Sequence, residues 1–178
     1  MSSSKEELLN ISELKKRFSE NGFLLGFGTI FCFGTSLVSQ IIQAKTKLYD
    51  NEVVPSHVAI IWGDTIYEST TEVVKVNYKT IPSGVRAWKV KDFIQSEQKK
   101  KTKYYYYPYN KIDIDLAREL VHLPYGVYNI VDFLLKNKSN GDKTHGLICS
   151  QFANKVMKIS ELACPSPADL FRIVKDLK

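Results

Sequence analysis

Two strand-like runs joined by two turn residues constrain this chain more than any other feature. Residues 53–62 and 65–76 are rich in β-branched and aromatic residues, and a Gly-Asp dipeptide at 63–64 separates them. A two-residue link of this kind between such runs is typical of a tight β-hairpin. The sequence therefore predicts an antiparallel strand pair in which Trp62 lies opposite Thr65.

The register of this hairpin predicts that an imidazole and a carboxylate lie on the same face of a sheet. Counting back from the turn pairs Ala59 with Glu68 and His57 with Thr70. Because side chains alternate between faces along a strand, His57 and Glu68 share a face. They are diagonal neighbours with backbones about 7 to 8 Å apart, within reach of long side chains. This pairing suits a general base held by a carboxylate.

A candidate nucleophile for this base occurs late in the chain. Cys149 follows the segment 141–146, which begins and ends with glycine, and it opens a helical pattern through Phe152 and Val156. The N–H groups and dipole at a helix start favour a thiolate, and the Cys149 N–H is placed to donate to an oxyanion. If this helix start packs against the face that carries His57, nucleophile, base and orienting carboxylate come together.

Other cysteines and histidines leave alternatives open. Cys32 and Cys164 are competing thiols, and His122 and His145 are competing bases. His122 falls in a predicted helix, whereas His145 lies in a Gly-containing loop with no carboxylate placed to hold it. Each member of the Cys149 set also has a structural interpretation, as a small buried hydrophobe, a strand histidine or a surface glutamate.

The remaining patterns predict an α+β fold with an antiparallel sheet packed against helices. A Ser4–Glu7 capping box precedes apolar residues at helical spacing, so residues 1–20 are interpreted as an N-terminal helical extension and residues 21–178 as a single domain. Further strands are predicted at residues 23–33, 85–90 and 104–107, and further helices at residues 37–42, 114–123, 125–135, 149–157 and 168–177.

Composition narrows the class of protein and its surroundings. The chain has 178 residues, a net charge of +6 and three cysteines without a paired spacing. Only four of its 25 basic residues are arginines, which argues against nucleic-acid recognition, although lysines and tyrosines are interleaved over residues 99–109. The cysteine pattern fits a reducing compartment and predicts neither a disulfide framework nor a zinc site.

No membrane span and no export signal are expected. The uncharged segment 21–44 is interrupted by glycines and polar residues, and the first twenty residues are mixed in charge. We therefore expect a cytoplasmic location, with delivery by a phage or virus particle as the alternative route to an external substrate.

Five short motifs in a fixed order resemble the circularly permuted NlpC/P60 family, the YiiX/YaeF-like and papain-like cysteine hydrolases, which includes a poxvirus relative. The resemblance covers residues 22–171, nearly the whole chain, and in this family the histidine strand precedes the cysteine helix. The motifs are Ser56-His57-Val58-Ala59-Ile60-Ile61, Ile66-Tyr67-Glu68-Ser69-Thr70, Gly84-Val85-Arg86, Pro124-Tyr125-Gly126 and Ile148-Cys149-Ser150-Gln151-Phe152.

This resemblance implies a permuted papain-like fold and a Cys-His-Glu hydrolase without metal or cofactor. Cys149, His57 and Glu68 fall on the family's catalytic positions, and Tyr125 and Ser150 are candidates for contact with substrate or oxyanion. Relatives imply peptide amides of cell walls or acyl groups of lipids as substrates. The alternative is a lipid-binding, acyltransferase or thioesterase module of the same fold, using the aromatic segment 23–33. Oligomeric state stays open.

Two departures from the family pattern affect substrate specificity more than chemistry. The region over residues 72–83 is longer than usual, and Ser150-Gln151 replaces the more frequent pair after the cysteine.

Overall fold

A mixed α+β fold with an antiparallel sheet is observed in the computed structural model, which describes residues 8–20, 28–34, 54–126 and 146–177. The strands are β1 (Gly28–Phe33), β2 (His57–Trp62), β3 (Thr65–Thr70), β4 (Val74–Val76), β5 (Lys79–Ile81), β6 (Gly84–Lys89) and β7 (Lys103–Pro108). The helices are α1 (Ile11–Glu20), α2 (Val90–Glu97), α3 (Ile114–Glu119), α4 (Cys149–Met157) and α5 (Pro167–Asp176).

Five of the strands form one sheet in the order β6-β3-β2-β1-β7, with every neighbouring pair antiparallel. The predicted hairpin between β2 and β3 is confirmed, because Trp62 pairs with Thr65 across the Gly63–Asp64 turn. Strands β4 and β5 form a separate two-stranded sheet. The α+β class predicted from the sequence is therefore observed.

Both faces of the five-stranded sheet are buried. In β1, Phe31 and Phe33 belong to a core that also contains side chains of α4 and α5, whereas Ile30 and Cys32 belong to a second core with side chains of α1 and α2. Alternate residues of a strand point to opposite faces, so the continuous apolar run of β1 fits a strand covered on both sides. Phe31 and Phe33 both pack edge-on against Phe171, with ring centroids 5.2 and 5.5 Å apart.

The N-terminal helix begins later than predicted. Asn10 caps α1, because its side-chain oxygen accepts from the N–H groups of Ser12 and Glu13 at 2.9 and 3.0 Å. Glu13 returns a bond to the Asn10 N–H, which completes a capping box. Residues 8–10 are not helical, so the helix predicted within residues 1–20 is too long at its start. The predicted box at residues 4–7 lies outside the described residues.

The N-terminal extension packs against the domain. Leu9 and Tyr104 exchange two backbone hydrogen bonds of 2.8 Å, which attach the residues before α1 to β7. Leu9 and Leu14 are buried in the core that also holds α2.

Three other elements differ from the sequence prediction. The predicted strand over residues 65–76 is broken after Thr70, and its end forms a hairpin with β5 whose turn residues Asn77 and Tyr78 both have positive φ. Helix α2 was not predicted. The predicted helix over 114–123 ends at Glu119.

Tyr125 lies in an isolated bridge with Leu147 instead of beginning a helix. The rest of that predicted helix, the predicted helix at 37–42 and the start of the strand at 23–33 lie outside the described residues.

Candidate active site

His57 and Glu68 are joined by a short hydrogen bond. His57 is the first residue of β2 and Glu68 lies in the middle of β3, and His57 Nε2 is 2.6 Å from Glu68 Oε2. The Glu68 side chain is 4% exposed and that of His57 is 23% exposed. The predicted neighbourhood of these two side chains is confirmed, and one edge of the imidazole stays open to solvent.

Arg86 holds the other oxygen of the same carboxylate. Glu68 and Arg86 are direct partners in the pairing of β3 with β6. Arg86 donates from Nε at 3.0 Å and from Nη2 at 2.8 Å, both to Glu68 Oε1. Arg86 is as buried as Glu68, so a buried carboxylate faces a buried guanidinium. The two oxygens of Glu68 are thus divided between Arg86 and His57.

Arg86 is a residue of the site that was not predicted from the sequence. Arg86 was noted only within a Gly-Val-Arg motif, and its contact depends on the register between β3 and β6, which no short turn fixes. A signal was nevertheless present, because a glutamate predicted beside a histidine in a buried sheet needs a permanent cation or hydrogen-bond donors to stay ionised.

Cys149 is the second group that interacts with the His57 imidazole. It is the first residue of α4 and is buried, and its charge and a hydrogen bond to its side chain are the two largest causes that raise the pKa of His57. Since Nε2 contacts an acceptor-only carboxylate, it carries the proton of a neutral imidazole, and Nδ1 is the nitrogen left for the thiol. The structure therefore brings together the three residues that the sequence predicts as a triad.

The segment before Cys149 is held from two sides. The Leu147 carbonyl accepts a hydrogen bond from the Ser69 hydroxyl on β3 and another from the Gly126 N–H at 3.2 Å. The Leu147 N–H donates to the Pro124 carbonyl at 3.1 Å. These contacts connect the start of α4 to the strand that carries Glu68.

Helix α4 also has a local start signal. The Gln151 side chain accepts from the Ile148 N–H at 3.2 Å, as an N3 residue does for the residue before a helix. Gly146 has a φ of +80°, and a Cβ there would collide with the Pro124 carbonyl oxygen. Only glycine fits this approach without displacement of one of the two segments.

Charges inside the site favour an ionised carboxylate and a protonated imidazole. Burial opposes charge on Glu68, but the contacts with His57 and Arg86 outweigh it and lower the pKa of Glu68 to about 2. Burial likewise lowers the pKa of His57, but Cys149 and Glu68 together raise this pKa to about 10.

The two further candidates lie near Cys149 in different ways. Tyr125 is half-buried, its backbone pairs with Leu147 two residues before Cys149, and its pKa is raised by burial and then by the charge of Cys149. Ser150 is fully buried, and its hydroxyl has no hydrogen-bond partner among the described residues. Tyr125 is therefore the better placed of the two for contact with a substrate.

The competing cysteines and histidines differ in their surroundings. Cys32 lies in β1 directly opposite His57, so their side chains share a face of the sheet, and burial followed by the charges of Glu97, Glu68 and Cys149 raises the pKa of its thiol. Cys164 is half-buried in the loop before α5. His122 is exposed beyond the end of α3, so its predicted helical position is wrong, and His145 lies outside the described residues.

The tyrosines over residues 99–109 take part in the sheet. Tyr104 and Tyr105 are buried in β7, and Tyr106 and Tyr107 are half-buried. Bases stack on exposed aromatic faces in single-stranded nucleic-acid sites, and Tyr104 and Tyr105 offer none.

Within residues 8–20, 28–34, 54–126 and 146–177, no cluster of three or more potential metal ligands occurs. None of the helices described is long and apolar enough to cross a membrane. No protein-family model matches the chain, and a search of curated proteins finds no sequence match.

Proposed function

We propose that this chain is a cysteine hydrolase of the permuted NlpC/P60 type that attacks an amide or ester carbonyl through Cys149. One observation carries the proposal: a single imidazole, that of His57, contacts the Cys149 thiol on one side and the buried Glu68 carboxylate on the other. A nucleophile, a base and a group that orients the base are the parts that thiol acyl transfer requires.

Acylation starts from the pair in which the proton of the Cys149 thiol resides on His57 Nδ1, the protonation state of the imidazole that its raised pKa favours. The sulfur of Cys149 adds to the substrate carbonyl carbon, and the C=O electron pair moves onto oxygen. When the tetrahedral intermediate collapses, the C–N or C–O bond breaks and His57 returns its proton to the leaving amine or alcohol. A thioester on Cys149 and a free amine or alcohol result.

Deacylation uses the same groups in reverse. Water attacks the thioester carbonyl while His57 accepts one of its protons, and the C–S bond breaks as that proton returns to sulfur. Glu68 keeps its charge throughout and stabilises the imidazolium that forms in each half-reaction.

The oxyanion is expected to form at the start of α4. Cys149 is the first residue of this helix, and the first N–H groups of a helix have no carbonyl partner within it. A backbone N–H here offers a fixed donor to the developing negative charge. Tyr125, whose backbone pairs with Leu147 two residues before Cys149, is the candidate side-chain donor.

Peptide amides and acyl groups of lipids are the substrate classes that we propose. The protein itself is proposed to be cytoplasmic or to be delivered by a virus particle. An acyltransferase would differ only in the acceptor that replaces water. A lipid-binding module built on the aromatic segment 23–33 has less support, because Phe31 and Phe33 fill the core against Phe171.

Trapping of the acyl-enzyme tests this proposal. The protein is incubated with activated esters and thioesters of short acyl chains, and intact and peptide mass spectrometry locates the added group. We expect acyl adducts on Cys149 that hydrolyse on standing and disappear in Cys149→Ala. Cys164→Ala is the matched control and is expected to acylate normally. Acylation that persists in Cys149→Ala would refute the assignment.

A further inference from the structure

Arg86 is buried and spreads its guanidinium over three acceptors. Nε and Nη2 both bond Glu68 Oε1, and Nη1 donates to the carbonyl oxygens of Glu72 at 2.7 Å and Pro82 at 3.2 Å. Its guanidinium carbon also lies 4.6 Å from the centroid of the Trp88 ring, so the group packs on an aromatic face as well.

We propose that Arg86 is a positioning residue of the site, which orients the Glu68 carboxylate towards His57 and joins that carboxylate to both ends of the β4–β5 hairpin. The inference rests on the proposed function, since it assigns a role within the same site. It goes further because it names the group that fixes the orienting residue and connects the site to the inserted segment at residues 72–83.

The Glu68 carboxylate is held in one orientation because its two oxygens have different partners. A glutamate side chain has three rotatable bonds, and an unrestrained carboxylate presents either oxygen to a neighbour. With both Nε and Nη2 of Arg86 on Oε1, Oε2 is the oxygen left for His57, and the 2.6 Å contact is made by that atom. A planar fork with fixed N–H directions supports this division, whereas a lysine ammonium is a point charge without it.

The positive charge of Arg86 is a second reason for a role in the site. Burial raises the cost of an ionised Glu68, and a neutral His57 contributes no positive charge to offset it. Arg86 is charged at every accessible pH, so Glu68 stays ionised through the catalytic cycle even when His57 has given up its proton. His57 can then change its protonation state without leaving a buried charge unpaired.

The chain between Glu68 and Arg86 contains the β4–β5 hairpin. Strands β3 and β6 pair directly, and the intervening chain leaves the sheet after Thr70 and returns at Gly84. The Glu72 and Pro82 carbonyls mark the two ends of this excursion, and one guanidinium nitrogen bonds both. The inserted hairpin is therefore closed at its base by the residue that holds the catalytic carboxylate.

A double-mutant cycle tests the proposal on the whole chain without any substrate. Arg86→Lys, Glu68→Gln and the double variant are compared with wild type in the rate of Cys149 alkylation by iodoacetamide over a range of pH. We expect Arg86→Lys to slow alkylation near neutral pH about tenfold and to shift the pH profile, because the charge-assisted fork to Glu68 is lost. In the Glu68→Gln background the same change is expected to have less than about a twofold effect.

Two results of this cycle would overturn the proposal. The first is an equal slowing by Arg86→Lys in both backgrounds, which would mean that Arg86 acts on the fold and not through Glu68. The second is no slowing in either background. Arg172→Lys is the matched control, because Arg172 pairs with Asp169 on α5, and it should leave the profile unchanged.

A wild-type measurement covers the case in which Arg86 variants do not fold. Hydrogen exchange of the arginine Nε–H groups is followed by NMR, with exposed Arg118 as internal reference. We expect the Arg86 Nε–H to exchange at least about tenfold more slowly, because it is buried and bonded to a carboxylate. Exchange as fast as that of Arg118 would refute the contact.

The two proposals can fail separately. If no acyl substrate is ever turned over but the cycle is non-additive, the hydrolase assignment fails and the role of Arg86 in holding Glu68 stands. If Cys149 forms acyl adducts but the cycle is additive, the role of Arg86 fails and the hydrolase assignment stands.

Discussion

The Ser69 hydroxyl donates a hydrogen bond of 2.5 Å to the Leu147 carbonyl, although 78 positions separate these residues in the chain. Ser69 follows Glu68 on β3, and Leu147 precedes Cys149 by two residues. A single side chain thus connects the strand that carries Glu68 to the start of the helix that begins at Cys149.

Replacement of Ser69 by alanine should loosen this connection. We expect Ser69→Ala to lower the free energy of unfolding by about 1 kcal/mol and to slow alkylation of Cys149, because a buried carbonyl loses a donor. Denaturant unfolding and alkylation kinetics measure the two effects. Ser96→Ala, which removes a hydroxyl bonded to the Phe93 carbonyl within α2, is the matched control. Equal alkylation rates in the two variants would contradict the account.

The ionisation of His57 should depend on Glu68. Removing the negative charge in Glu68→Gln takes away one of the two groups that raise the pKa of His57, so this pKa should fall below its wild-type value of about 10. NMR titration of the His57 ring measures it. Glu72→Gln changes an exposed carboxylate that pairs with Lys100 and should leave the pKa of His57 unchanged. An unaltered His57 titration in Glu68→Gln would refute the electrostatic description of the site.

Stability at low pH should reflect the same carboxylate. The pKa of Glu68 is about 2 in the folded protein against an ordinary value of 4.5, so the folded state binds fewer protons in this window. Its contribution is fully present above pH 4.5 and is lost as the pH falls from 4.5 towards 2, about 3 kcal/mol in all. Denaturant unfolding at several pH values should show a shallower acid dependence in Glu68→Gln. The same acid dependence in both proteins would show that Glu68 is not the responsible group.

Gly146 should be sensitive to a single methyl group. Gly146→Ala places a Cβ against the Pro124 carbonyl at a φ of +80°, which we expect to cost about 2 kcal/mol or more and to slow Cys149 alkylation. Gly63→Ala is the matched control, because Gly63 also has a positive φ but its Cβ would meet nothing within 4 Å. It should cost about 1 kcal/mol and leave alkylation unchanged. Similar effects of the two variants would contradict the tight approach at Gly146.

Local patterns predicted the elements that carry the three central residues. The Gly63–Asp64 turn fixes the β2–β3 register, and the apolar spacing after Cys149 predicts the helix that is observed over Cys149–Met157. Both depend on interactions between residues close in the chain, which is why sequence was sufficient. The catalytic roles of these residues remain predictions.

Non-local contacts explain why the contact of Arg86 with Glu68, the β4–β5 hairpin and helix α2 were not predicted from the sequence. Arg86 meets Glu68 through strand pairing across the β4–β5 insertion, and the turn of that insertion uses Asn77 and Tyr78 in a left-handed conformation that usually calls for glycine. Helix α2 follows β6 without any turn residue, although Val90, Phe93 and Ile94 recur at helical spacing and are buried. A change from strand periodicity to helix periodicity within one apolar run is difficult to recognise without the tertiary structure.

The reactivity of Cys149 tests the central claim most directly. Alkylation of the three cysteines is followed by mass spectrometry as a function of pH, in wild type and in His57→Ala. We predict that Cys149 reacts at least about tenfold faster than buried Cys32 and half-buried Cys164 near neutral pH, and that His57→Ala removes most of this advantage. If Cys149 reacts no faster than the other two, with or without His57, the pair of thiol and imidazole has no chemical role and the hydrolase proposal is wrong.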